Sequence, residues 1–164
     1  MVRRLVYLLL LGGFAFIQFR HLNQVRRTFI FYSLGDGKPA VENRLLSRSP
    51  TEEIALRRYV EEVLWGPVAP DSLPLFSRET RLRSLLYRDK VVYLDISEDA
   101  ALPLEEAPGG DVFLGLDTLH RGILRNFPAV QEVRLFIQGY EVPVLPGTDE
   151  RGNGGLFDRL MGGT

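Results

Sequence analysis

Residues 81–97, RLRSLLYRDKVVYLDIS, hold two apolar runs rich in aromatic and β-branched side chains that meet across a turn-sized gap, and no other stretch of the chain offers that pattern. It predicts a β-hairpin. With Asp89 and Lys90 as a two-residue turn, Tyr87 falls opposite Val92, Leu85 opposite Leu94 and Arg83 opposite Ile96. Leu85, Tyr87, Val92, Leu94 and Ile96 then share one face, which needs a cover. The opposite face carries Ser84, Arg88, Val91 and Asp95 beside Leu86 and Tyr93, a mixed surface suited to water or a partner. From it, Leu86, Arg88, Tyr93 and Asp95 form the candidate partner surface.

Two helices are available as the cover. Ser49-Pro50-Thr51-Glu52 predicts a helix start, with Ser49 as N-cap, Pro50 at the first helical position and Glu52 closing a capping box. Leu56, Tyr59, Val60, Val63 and Leu64 follow as one apolar stripe until Gly66-Pro67 stops the helix. A second helix is predicted from an Asp111 cap to Phe127: Val112, Leu116, Leu119, Ile123 and Phe127 recur on one face, and Pro128 marks the exit. Gly115 and Gly122 each cost this helix about 1 kcal/mol relative to Ala, so packing must hold it.

The remaining strands are signalled by shorter stretches. Thr28 to Ser33 is aromatic and β-branched and is ended by Gly35-Asp36-Gly37, after a polar linker over 20–26. Val41 to Arg48 returns beside it, with Arg44 and Arg48 expected on a solvated edge. Val68 to Thr80 reads as a loop, and the acidic stretch from Glu98 to Gly110 as an exposed one. Glu132 to Gln138 alternates, with Val133, Leu135 and Ile137 inward, and Gly139-Tyr140 turns into a last strand, Glu141 to Leu145. The fold class is α+β: one two-layer domain, a mixed or antiparallel sheet with two helices packed on it.

An N-terminal transmembrane or signal helix precedes that domain. Arg3 and Arg4 lead into the apolar run from Leu5 to Phe19, closed by Arg20. Fifteen helical residues span roughly 22 Å, against a hydrocarbon core of roughly 30 Å, so spanning requires snorkelling arginines or a thinned bilayer. An uncleaved anchor is the preferred reading. A cleaved signal, with Gly13-Phe14-Ala15 as its small-x-small site, and a buried core helix are the alternatives. The 164 residues otherwise suit a single domain, here 27–147, between the N-terminal segment 1–20 and a Gly-rich tail 148–164 that carries Leu156, Phe157, Leu160 and Met161. Cysteine is absent, which excludes disulfides, thiolate metal sites and cysteine nucleophiles. Residues 1–48 hold eight Lys/Arg and two acids, although the whole chain has a net charge of -1. Basic residues beside an apolar segment point to lipid headgroups rather than nucleic acid.

Four stretches, in this order and spacing, resemble the GerMN domain of bacterial sporulation and spore-germination proteins. They are Tyr59 to Pro67, YVEEVLWGP; Val91 to Ser97, VVYLDIS; Leu119 to Val130, LHRGILRNFPAV; and Val133 to Gly139, VRLFIQG. The likeness covers roughly residues 27–145. The family often turns its hairpin with Asp-Gly where Asp89-Lys90 stands here, and Lys is disfavoured at positive φ. Ile123 stands where the family tends to Thr. The resemblance implies an extracytoplasmic α+β module, tethered to a bacterial membrane, that acts in assembling envelope complexes by protein contacts. It implies envelope proteins as partners, leaves self-association open, and implies no catalytic residues and no cofactor.

Chemistry has few other places to reside. His21 and His120 are the only histidines, which leaves no triad or histidine metal cluster, and His120 reads as a partly buried structural residue. Gly37-Lys38 is no phosphate loop, since Tyr32 and Pro39 stand where that motif needs Gly and Ser or Thr. Asp95, Ser97, Asp99 and Glu106 follow calcium-loop spacing, but Ala100 replaces the required Gly, Pro103 interrupts, and a strand precedes where a helix belongs. Asp95 is expected instead to fix the strand end through local backbone hydrogen bonds. Glu61-Glu62 and Glu105-Glu106 are poor glycosidase pairs, because adjacent helix residues point apart. The competing function is therefore an envelope ligand- or calcium-binding protein or hydrolase using the acidic loop 95–106.

Overall fold

The computed structural model describes Tyr7, residues 23–102 and residues 112–143. Its elements run β1 (Gln24–Ser33), β2 (Pro39–Ser47), α1 (Glu52–Trp65), β3 (Ser72–Leu73), β4 (Leu82–Arg88), β5 (Val91–Ile96), a 3-10 turn (Glu98–Ala101), α2 (Val112–Asn126), β6 (Glu132–Ile137) and β7 (Tyr140–Val142). The class is the expected α+β with two helices. The strands divide between two sheets, a three-stranded one in the order β2-β1-β3 and a four-stranded one in the order β4-β5-β6-β7. The N-terminal run other than Tyr7, the cap Asp111 and the tail from 148 onward lie outside the described residues.

β1 begins at Gln24 rather than Thr28, so the last residues of the expected linker are strand. Antiparallel pairing with β2 runs from Tyr32↔Pro39 back to Gln24↔Ser47, and backbone ladder bonds form whatever the side chain. Arg44 corrects the expectation of a solvated edge: its side chain is only 13% exposed. Its guanidinium pairs with Glu42 at 2.6 Å and Glu62 at 3.0 Å, and donates to the Gly66 carbonyl at 2.7 Å. It also lies over the rings of Phe29 and Phe31, 4.7 and 5.4 Å from their centres. The register explains this, because Arg44 lies opposite Arg27 and Glu42 opposite Phe29, on the face that α1 crosses. Glu42 in turn accepts from the amides of Val68 (3.1 Å) and Ala69 (3.0 Å), tying the chain after α1 to β2. Burial works to raise the Glu42 carboxyl. The Ala69 amide, Arg44 and the Val68 amide together outweigh it and hold the group below its ordinary range.

Thr51, not Ser49, caps α1: the Thr51 backbone is extended and its hydroxyl accepts from the Ile54 amide at 3.3 Å. The Arg48 amide still donates to the Asn23 carbonyl, so chain pairing persists to residue 48 and the helix starts two residues later than the capping box implies. Leu56, Tyr59, Val60, Val63 and Leu64 are all buried, and Gly66 takes positive φ at the stop. On α2, Leu116, Leu119 and Ile123 are buried with Phe127, and Val112 is partly so. Its glycines mark close approaches. A Cβ on Gly115 would stand 2.7 Å from the Leu75 carbonyl oxygen, and one on Gly122 would strike the Tyr59 hydroxyl.

At the end of α2, the Asn126 side chain accepts from the Thr28 amide and donates to the Thr28 carbonyl, both at 2.8 Å. It thereby occupies a stretch of β1 that β3 does not reach, since β3 pairs only with Tyr32 and Ser33. Tyr59 completes the junction, stacked on Phe29 at 4.8 Å, edge-on to Phe127 at 5.6 Å, and donating to the Thr28 carbonyl at 3.2 Å. Far from being only a connection, the loop after α1 contains β3 and buries Leu73, Leu75 and Phe76.

In the four-stranded sheet, β5 and β6 are parallel, joined by the crossover through α2, and β4 and β7 pair antiparallel at the edges. Leu85, Val92, Leu94, Ile96, Val133 and Leu135 are buried on the helix side. The final turn falls at Gln138-Gly139, both at positive φ, rather than at Gly139-Tyr140, because Tyr140 already pairs with Ile137. The last strand is correspondingly Tyr140–Val142, with its expected end at 144–145 outside the described residues. The acidic loop opens on the 3-10 turn, whose Ala100 is buried in the core, so it is anchored at its start. Residues 103–110 lie outside the described residues.

Candidate interaction surface

Asp89 and Lys90 take φ of 51° and 66°, the type I′ signature, so the β4–β5 turn closes as expected despite Lys at a position that favours Gly. The register gives Leu85↔Leu94, Leu86↔Tyr93, Tyr87↔Val92 and Arg88↔Val91. Beyond Ser84↔Asp95 a bulge intervenes and Leu82, not Arg83, lies opposite Ile96. The extra residue lets Leu82 join the core margin and turns Arg83 toward Asp95, where the two pair at 3.0 Å.

Parallel pairing extends the outward face beyond the hairpin. Tyr93 lies beside Arg134, Val91 beside Glu132, and Asp95 beside Phe136, which in turn lies beside Glu141. Leu86 is 51% exposed, Arg88 is exposed and Tyr93 is half-buried. The Arg134 guanidinium sits 5.9 Å from the centre of the Tyr93 ring and donates to Glu132 at 2.7 Å. That hydrogen bond and the carboxylate charge hold Arg134 above its ordinary value. An aromatic ring backed by a cation and flanked by an aliphatic side chain is the composition that interface centres favour.

The four sequence-predicted residues therefore share one face, but not one role. Asp95 is engaged on both carboxylate oxygens, by Arg83 and by the Gly139 amide at 3.0 Å. The second bond corrects the local capping expectation: Asp95 braces the β6–β7 turn from an adjacent strand. Leu86, Arg88 and Tyr93 remain displayed, and Arg134 and Phe136 join them. The outward alternation of EVRLFIQ contained that signal, but only the β5–β6 pairing connects it to the hairpin.

The described members of the competing acidic site are engaged elsewhere. Asp95 already faces a cation, Ser97 donates to Asp99 at 2.8 Å and accepts from the Arg81 amide at 3.0 Å, and Glu106 lies outside the described residues. Among the described residues no group of three or more His, Cys, Asp or Glu converges on a metal position. Glu62 is held by Arg44 while Glu61 is exposed, so that pair points apart. His120 is partly buried on α2, and burial pushes its imidazole down, against the pull of Asp117.

No family model matches the sequence, and no curated protein is recognisably similar to it. Solved structures do match. The first GerMN domain of the sporulation protein GerM from Bacillus subtilis aligns at 17% identity and TM-score 0.52, over 72% of this chain and 86% of that one. The tandem GerMN domains of the same protein align at 17% identity and TM-score 0.51, over 73% of this chain and 40% of that one. The fold is thus that of a GerMN domain, as the four sequence stretches imply. Among the described residues no helix is long and apolar enough to cross a membrane, and the anchor expected at 5–19 lies outside them save Tyr7.

Proposed function

We propose that this chain is a non-enzymatic protein–protein interaction module of the bacterial envelope, held outside the cytoplasm by residues 1–20 as a single-pass anchor and acting in the assembly of a sporulation-like complex. The domain spans 27–147, and the tail 148–164 offers a second contact. The observation that carries the reading is the outer face of the four-stranded sheet. Both helices pack on its other side, and Leu86, Arg88, Tyr93, Arg134 and Phe136 remain on the side that no described helix covers. The GerMN fold of a sporulation protein supplies the biological setting. The partner is an envelope protein, and a second copy of this chain is the alternative outcome of the test.

The test is capture from detergent-solubilised envelope by the full chain, with folding followed by circular dichroism. The proposal expects one discrete partner to be lost with Leu86→Asp and with Tyr93→Ser, and retained with Glu61→Gln on the exposed side of α1. Deletion of 149–164 asks separately whether the tail contributes. Folded outer-face variants that capture as well as the parent chain overturn the reading.

A further inference from the structure

With Thr51 capping α1, Ser49 is left over. Its hydroxyl is screened from solvent and has no hydrogen-bond partner, one of two such side-chain atoms among the described residues. Ser49 borders a cavity of about 290 Å³ between the start of β1, the end of β2 and the first turns of α1. Arg27, Arg48 and Arg58 line the same cavity, with Glu52 as its one carboxylate, so cations outnumber anions there by two. Two of the cations are positioned by the fold. Arg58 donates to the Ser47 carbonyl at 2.9 Å, and Arg27 donates to the Asn126 carbonyl with its guanidinium 4.1 Å from the centre of the Phe127 ring. Burial pushes Arg27 down, and Glu52 only partly opposes it, so a further anion would stabilise the charged form.

We infer that this cavity binds a phosphate group, held by Arg27, Arg48 and Arg58 with the Ser49 hydroxyl as an additional donor. Guanidinium forks match phosphate oxygens in pairs, and positioning them in advance lowers the ordering cost of binding. The volume suits a phosphate with a short ester. A lipid headgroup is the favoured source: the apolar run ends at Phe19 and β1 starts at Gln24, a chain reach of at most about 18 Å. Only that choice of source rests on the membrane-anchor reading; the site itself does not, and it lies apart from the outer sheet face.

Thermal midpoints of the full chain in neutral detergent micelles test it in two arms. One titrates inorganic phosphate against chloride at constant ionic strength, and the other dopes the micelles with phosphatidylglycerol or with phosphatidylcholine. The midpoint is expected to rise in at least one arm, with phosphatidylglycerol exceeding phosphatidylcholine in the second. The half-saturating concentration should increase roughly tenfold in Arg48→Gln and also increase in Ser49→Ala. Arg78→Gln, exposed in the segment before β4 and away from the cavity, should match the parent chain. A rise with phosphatidylglycerol alone assigns the lipid, one with inorganic phosphate alone assigns a soluble phosphate, and one with both assigns the phosphate group itself. No rise in either arm, or equal half-saturation in Arg48→Gln and the parent chain, overturns the site.

Discussion

β1 and β2 are held by side chains from distant parts of the chain: Arg44 reaches Glu62 and Gly66, Asn126 clips Thr28, and Tyr59 stacks on Phe29. β4 and β5 depend more on their own alternation, burying Leu85, Val92, Leu94 and Ile96 while Leu86 stays exposed. Their main side-chain tie to a helix is Glu53, which accepts from the Tyr87 amide at 3.0 Å on the edge strand. A hairpin stapled by polar groups from α1 and α2 serves the architecture. A hairpin that commits one face to the core and leaves the other open has a surface to offer.

The largest expected effect breaks the stapled hairpin. Arg44→Ala leaves Glu42 and Glu62 without their shared cation and uncovers two rings, so denaturant unfolding should show a loss of about 3–5 kcal/mol. A loss below about 1 kcal/mol would mean the cluster is incidental. Next come the two faces of the other hairpin. Leu94→Ala should lose about 2–5 kcal/mol through the cavity it creates, whereas Tyr93→Ser, one residue away on the outer face, should lose less than about 1 kcal/mol. Equal losses would erase the distinction between the faces. Asn126→Ala orphans the Thr28 amide, while the Thr28 carbonyl keeps the Tyr59 hydroxyl, and should lose about 1–3 kcal/mol in the same assay.

The smallest effect is a pH dependence. Glu42 is held below its ordinary value of 4.5 in the fold, so the unfolded chain binds its proton first as pH falls. Its contribution is complete above that value and is lost as pH drops through the lower folded value. Stability of the parent chain should therefore fall more steeply below about pH 4.5 than that of Glu42→Gln, which retains an amide acceptor but cannot titrate. Parallel acid limbs in the two proteins would show that another carboxylate governs the transition.

Much of β4–β5 was legible because its information is local. Asp89-Lys90 marks the turn, alternation assigns the faces, and Leu85↔Leu94 and Tyr87↔Val92 follow from those two facts. The bulge at Arg83 was not legible, since one extra residue in RLRSLL leaves the apolar pattern plausible in either register. The stripes of α1 and α2 were readable for the same local reason, down to Gly115 and Gly122 needing a packing explanation. Which contacts those glycines make was not, because Leu75 and Tyr59 come from other elements. Arg44 misled because periodicity gives its parity in β2, while its burial depends on α1 crossing that face. The surface was half legible. Leu86 and Tyr93 lie on one hairpin, but Arg134 and Phe136 join them only through the parallel pairing of β5 with β6.

The central claim, that the open face of the four-stranded sheet meets a protein in the envelope, is tested most directly by a photo-cross-linker at position 86 in the full chain within intact envelope, compared with one at position 61 on α1. A discrete covalent adduct to another polypeptide is expected from position 86, abolished by Tyr93→Ser and absent from position 61. No adduct from position 86, or the same adduct from both positions, would contradict it.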